Sequence, residues 1–338
     1  MDPAGQSPFE QAFIRACTLD VTTLKPGNVS EDAPGHRMTA AQFIDSATAA
    51  APMLCRAGAP VGQRIFRAVE ASFRVAGCNT NLGIVLLCAP IAAAAQTIAA
   101  GADAAPTLAP GAEVERALRD RLREVAGSLT VADADEAFRA IALANPGGLG
   151  SVAEHDVHAA AEIDLRTAMT LAADRDMVAQ QYANDFADLF ETGVAAWREE
   201  SAARPATDGR AASLAMQRVY LEFLARFPDS HISRKQGLAV AEAVSREARA
   251  RLRRRLADAA AAQDELASWD AELKAAGINP GTSADLAVAT AYLAEIVLHR
   301  STMPTAGRVG VMLYPDGADG HPQQRHALRC ITNVRGAH

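Results

Sequence analysis

Asp229, His231, Arg234 and Lys235 lie within one short stretch, Pro228-Asp-Ser-His-Ile-Ser-Arg-Lys235. It gathers a carboxylate, an imidazole that titrates near neutrality and two cations suited to phosphate. The apolar spacing that follows places the stretch at a helix start, where the dipole disfavours positive charge. Two cations this close also repel unless an anion or carboxylate lies between them. That conflict is a physical argument for a bound anion; a capped helix with a basic first turn is the plainer alternative.

Four other stretches carry similar chemistry. In Asn279-Pro-Gly-Thr-Ser-Ala-Asp285 a turn precedes an apolar helix that Thr282 or Ser283 can cap. The free N–H groups of that helix start suit a phosphate or carboxylate, although Thr282 with Asp285 three residues on is close to an ordinary capping box. Lys25-Pro-Gly-Asn-Val-Ser30 joins an ammonium to a tight turn and to the short polar side chains of Asn28 and Ser30. Its glycine permits close backbone approach to a ligand; a helix terminator with a solvated Lys25 fits equally. His36, just downstream, is either a loop histidine or a proton donor.

Gly77-Cys-Asn-Thr-Asn-Leu-Gly83 sets the side chains of Asn79, Thr80 and Asn81 before the most apolar helix, where they can bond a base, ribose or phosphate or merely cap. Asp176, in Asp174-Arg-Asp-Met177, is either a Mg²⁺ ligand or part of a solvated face. Together these loops point to a polyphosphate-bearing substrate and, with it, Mg²⁺. The P-loop, the dinucleotide fingerprint, HExxH and GxSxG are all missing from the sequence.

The elements that must hold these loops read as helices. Apolar spacing predicts helices over about 9–19, from Thr39 on, 60–75, 84–100, 112–124 and 132–144. A long helical tract follows over about 156–200, broken near Asp174, then helices at about 211–226, 233–257, 259–275 and 283–299. Only Val309–Tyr314 could be a strand, and the tail from Pro315 is poor in apolar residues. The expected fold is all-α: one large multi-helix globular domain over 1–300 with functional loops at helix N-termini, and a loosely ordered extension over 301–338.

Composition narrows the class further. Of 338 residues 49% are hydrophobic, enough for a full core, and the net charge of −7 without a basic block argues against a nucleic-acid partner. Five cysteines without a CxxC fit buried thiols of a reducing compartment. Met1-Asp-Pro-Ala-Gly-Gln has neither part of a signal peptide, and Ile84–Ala100 is short for a span and holds Pro90. A cytoplasmic protein without a membrane partner is therefore expected, with self-association left open. Thirty Arg stand against three Lys, and two of those three, Lys25 and Lys235, lie in the stretches above.

Taken in order, Lys25-Pro-Gly-Asn-Val, Gly77-x-Asn-Thr-x-x-Gly83, the Asp229 to Lys235 region and Pro280-Gly-x-Ser-Ala-Asp-Leu286 resemble the triphosphoribosyl-dephospho-CoA synthase family. The resemblance runs from about residue 8 to 300, and Pro146-Gly-Gly-Leu-Gly150 is similar to the branch found in methylotrophs and methanogens. It implies a transferase that joins ATP to 3′-dephospho-CoA: an acceptor hydroxyl attacks C1 of the ATP ribose and adenine leaves. Carried onto this sequence, it suggests Lys25, Arg234 and Lys235 for phosphates, with Asn28, Ser30, Thr80, Thr282 and Ser283 also lining the substrate. Asp176, Asp229 and Asp285 would serve Mg²⁺ or the reacting carbon, Asn79 and Asn81 the base or ribose, and His36 or His231 proton transfer. Asn28-Val-Ser30 and Asn81-Leu82 depart from the citrate- and malonate-lyase branch, which carries Leu-Val-Asp and His-Lys there. The acceptor can therefore differ. One rival is a paralogue acting on another phosphorylated acceptor in tetrahydromethanopterin-linked one-carbon metabolism; the other is a non-catalytic nucleotide-binding helical protein.

Overall fold

A computed structural model describes residues 5–30, 39–101, 111–144, 157, 159–204, 208–254 and 259–298. Of these, 79% are helical, and no strand occurs among them. Fourteen α-helices and one π-helical turn make up the order, and residues 1–303 cluster into one compact unit. The strand expected at 309–314, the tail, His36, Cys330 and the glycine-rich segment 146–150 all lie outside the described residues.

The N-terminal half follows local signals closely. α1 (Pro8–Thr22) is capped by Ser7 with Pro8 in its first turn, and α2 (Ala40–Leu54) opens on a full capping box between Thr39 and Gln42. α3 (Val61–Ala76) ends on Gly77, whose φ of 69° is the left-handed conformation that favours glycine. α4 (Leu82–Gly101) is long and apolar enough to cross a membrane, yet 67% of its apolar window is buried inside the fold. That is the behaviour of a core helix. α5 (Ala112–Gly127) and α6 (Val131–Ala144) complete this half.

The 156–200 tract contains more breaks than periodicity predicts. α7 (Leu165–Ala172) and α8 (Met177–Ala183) are separated at the expected place, because Asp176 turns its side chain back to cap α8. A second break follows at Asp185 and Phe186, both in left-handed conformation with φ of 57° and 60°. The chain resumes as the π-helical turn Leu189–Val194 and α9 (Ala195–Ala202).

Past α10 (Ala211–Arg226), the helix expected over 233–257 is two helices, α11 (Ser230–Gln236) and α12 (Leu238–Arg254). Gly237, at φ 93°, divides them. This overturns the dipole argument made from the sequence: Arg234 and Lys235 occupy the last turn of α11, where positive charge is favoured. α13 (Ala259–Ala275) leads to α14 (Gly281–Leu298), which starts two residues earlier than expected. Thr282 and Ser283 therefore lie inside the first turn and do not cap the helix. α14 is the hub: it packs against α1, α4, α8, α9, α10, α11 and the π-helical turn.

Candidate functional site

Loops that are far apart in sequence meet at the N-terminal end of α14. From one side comes the Lys25 to Ser30 loop. Gly27 approaches so closely that a Cβ there would lie 2.8 Å from Pro280, and Asn28 Nδ2 donates to Asn279 Oδ1 over 3.0 Å. Asp270 accepts from the Gly27 N–H over 2.8 Å, and Tyr220 donates to the Pro26 carbonyl over 2.6 Å, so this turn is pinned from behind.

On another side stands α11. Asp229 is 1% exposed, and its carboxylate joins two helix starts. Oδ1 accepts from the N–H groups of His231 (2.9 Å) and Ile232 (3.1 Å). Oδ2 accepts from the Ser283 N–H (2.7 Å) and from its hydroxyl (2.8 Å). A carboxylate offers about four acceptor positions, so this one is fully occupied. Thr282 Oγ1 accepts from the His231 N–H over 3.2 Å, and a Cβ at Gly281 would lie 3.5 Å from the His231 ring. Burial holds the Asp229 carboxyl above its usual range, and these four hydrogen bonds offset only part of that rise.

α8 joins through α11. Asp176 Oδ1 caps α8 by accepting from Val178 and Ala179, its other oxygen pairs with Arg234, and the Ser230 hydroxyl accepts from Met177 N–H over 2.8 Å. From α4, Gly83 lies so near Asp285 that an added Cβ would meet Oδ2 at 2.1 Å.

Asp285 stands apart from the other acids. Among the described residues its carboxylate makes no hydrogen bond or ion pair, and it keeps partial contact with solvent. Its pKa is nonetheless held well above the usual carboxylate range, first by burial and then by Asp20, Asp229 and Asp176, with Arg234 opposing. An acid with a raised pKa and no bonded partner among the described residues, standing where several helix ends meet, is a functional-site candidate.

The remaining expected residues have other surroundings. Lys25 is fully buried: its ammonium bonds the Asp20 carbonyl (2.5 Å) and the Thr23 carbonyl (3.4 Å) and lies 3.2 Å from Asp20 Oδ1. It thus serves the carbonyl end of α1. Burial lowers the Lys25 pKa and raises that of Asp20, each partly offset by the other's charge. Asn79 accepts from the Leu82 N–H and so caps α4. Thr80 donates to Ser46 and Asn81 to Ser72, which directs both side chains into α2 and α3. Ser30 is buried, and Lys235 is exposed.

Sequence reasoning missed Asp20, Ser230 and Asp270. Asp20 had a signal: it follows Phe13, Ala16 and Cys17 on the apolar face of α1, where a carboxylate requires a partner. Ser230 carries no such mark, because its partner is a backbone N–H 53 residues away, and Asp270 reads as an i,i+4 pair with Lys274 while its bond to the Gly27 N–H spans 243 residues. Among the described residues, no three His, Cys, Asp or Glu side chains form a ready metal cage.

A family model described as ATP:dephospho-CoA triphosphoribosyl transferase matches residues 7–302. A crystal structure described as a candidate triphosphoribosyl-dephospho-CoA synthase from Archaeoglobus fulgidus superposes with a TM-score of 0.51. It is 22% identical, covering 74% of this chain and 97% of that one, a likeness of fold. No curated protein sequence matches the chain.

Proposed function

This chain belongs to the ATP:dephospho-CoA triphosphoribosyl transferase family and is a transferase; from that premise we propose that it moves the triphosphoribosyl group of ATP onto a hydroxyl of dephospho-CoA, with adenine as the leaving group. In this reaction the bond from C1 of the ATP ribose to the acceptor oxygen forms as the bond from C1 to adenine breaks. The hydroxyl proton must be taken up, and adenine gains a proton as it leaves. Positive charge builds at C1 on the way, so a carboxylate close to that carbon lowers the barrier.

The observation that carries the reading is Asp285, the acid at the junction of α4, α11 and α14 whose carboxylate makes no hydrogen bond or ion pair among the described residues. A raised pKa makes it a stronger base for the hydroxyl proton, and its ionised form opposes charge at C1. Arg234, with Lys235 exposed beside it, suits the triphosphate, and Arg234 is held in place by Asp176 until the anion arrives. His231, beside Gly281, is the described imidazole suited to proton transfer toward adenine.

Mg²⁺ fits this donor set in one way. It takes one or two carboxylates and completes its shell with phosphate oxygens and water, so no preformed cage is needed. Asp176, beside the triphosphate-binding Arg234, is the acid suited to it, whereas Asp229 has no acceptor position left. The ion would supply charge neutralisation along the triphosphate.

Incubation of the protein with Mg-ATP and dephospho-CoA, followed by chromatography and mass spectrometry, tests the proposal. Free adenine and a triphosphoribosyl mass gain on the acceptor are expected. ADP or AMP would indicate phosphoryl or nucleotidyl transfer and overturn it. Adenine released only with a different phosphorylated acceptor, such as one from tetrahydromethanopterin-linked metabolism, would retain the transfer and replace the acceptor.

A further inference from the structure

Three helix starts that carry the site are joined by one seven-residue helix. α11 holds α14 through Asp229, whose Oδ2 takes both the N–H and the hydroxyl of Ser283. It holds α8 through Ser230, which accepts the Met177 N–H, and through the ion pair of Arg234 with Asp176. On the same short helix, Asp229 Oδ1 accepts the His231 and Ile232 N–H groups. Asp285 lies one half-turn after Ser283, so the register of Ser283 on Asp229 sets where the Asp285 carboxylate stands relative to Arg234 and Gly83.

We infer that Asp229 is a positioning residue: its buried carboxylate locks α11 to α14 so that Asp285, His231 and Arg234 share one fixed geometry, and it touches neither substrate nor metal. Two observations carry this. At 1% exposure Asp229 cannot meet a substrate, and its four hydrogen bonds of 2.7–3.1 Å fill the acceptor positions a metal would need. Ser283 takes part with both backbone and side chain, so the lock fixes rotation of the first turn of α14 as well as its distance. Small displacements of a reacting group have large effects on rate, which gives such a lock a kinetic role. The inference rests on the proposed reaction, in which Asp285 and Arg234 act on ATP.

Full-length Asp229→Asn, Ser283→Ala and Ser230→Ala are compared with the wild type for adenine release, well below each melting temperature. An amide in place of the carboxylate keeps the shape and replaces one acceptor with a donor that faces donors. For Asp229→Asn, kcat is expected to fall on the order of 100-fold, with the KM for ATP and the Mg²⁺ half-saturation within about twofold of wild type. Ser283→Ala, which keeps the backbone bond, falls in between. Wild-type kcat in folded Asp229→Asn would reduce this residue to a cap and overturn the inference. So would a rise of about tenfold or more in Mg²⁺ half-saturation with kcat restored at high Mg²⁺, because that marks a metal ligand. Should Asp229→Asn not fold, unchanged kcat in both serine variants is the overturning result, and a fall at unchanged KM the supporting one. No adenine from the wild type would instead refute the proposed reaction, and this role with it.

Discussion

Asp229, buried, and Asp285, half-buried, are both acids near one helix start, yet their substitution by Asn should act in opposite directions on stability. Asp229 is fully bonded, so Asp229→Asn leaves buried donors without an acceptor and should cost about 1–3 kcal/mol, read as a lower denaturation midpoint. Asp285 has no such bonds among the described residues, and its folded-state pKa lies above that of an unfolded Asp. Between those two values the folded protein binds a proton that the unfolded chain does not. The stability from this group is therefore fully present below the unfolded pKa and lost as pH rises through the folded one. Asp285→Asn should accordingly match or exceed wild-type stability at neutral pH, with its advantage fading toward pH 4, while adenine release falls about 100-fold or more. Denaturant titrations across pH 4–8 and turnover measured on the same samples check both halves. A variant that keeps its rate would return Asp285 to an ordinary helix residue.

Lys25, like Asp229, is already satisfied within the fold. Its three donors face three oxygens of Asp20 and Thr23 in the interior, which a compact ammonium can do and a planar guanidinium cannot do as well. Lys25→Met should strand Asp20 as an uncompensated buried acid and cost roughly 3–5 kcal/mol, measured by denaturant unfolding. A loss confined to the KM for ATP, with stability intact, would instead restore Lys25 to the phosphates.

At the scale of elements, close approach between α4 and α14 is what places Asp285. Gly83 lies in the first turn of α4, and its missing Cβ leaves the space that Asp285 Oδ2 occupies. Gly83→Ala introduces no charge and suits a helix, so its intrinsic propensity is favourable by about 1 kcal/mol. The contact at 2.1 Å must nevertheless push the Asp285 side chain aside. The expected result is a protein that folds and has kcat reduced by about tenfold or more, with circular dichroism unchanged. Gly237→Ala is a useful control on the neighbouring α11–α12 joint. Nothing lies within 4 Å of its added Cβ, so the φ of 93° alone should lower stability, by about 1 kcal/mol, without a direct clash.

For the whole molecule, the site is an assembly of helix ends around α14, and a ligand that bridges them should stabilise the entire unit. Mg-ATP at about 100 times its Kd should add about 2.7 kcal/mol, seen as a higher Tm in thermal unfolding. EDTA should remove most of that gain if Mg²⁺ supports the triphosphate, and an equal shift with and without Mg²⁺ would count against the ion.

The all-helical class, most helix positions and the four loops were legible because each rests on local physics: i, i+3, i+4 apolar spacing, capping residues and Pro-Gly turns act within a few residues. Asp229 and Asp285 stood out for the same reason, as acids at helix starts. Their roles were not legible, because the deciding partners are remote: Asp229 to Ser283 spans 54 residues, Asp176 to Arg234 58 and Asn28 to Asn279 251. The dipole argument for Arg234 and Lys235 failed through one glycine, since Gly237 ends α11 and turns a first turn into a last one. Periodicity could not show that, because Ile232 is the one buried apolar residue of the short α11, too little to set a phase against the stripe of α12. Charge and hydrogen-bonding capacity are properties of a residue type, written in the sequence; whether they are already satisfied depends on what the fold brings alongside. Only the tertiary structure could fill Asp229 and Lys25 while leaving Asp285 without a bond among the described residues.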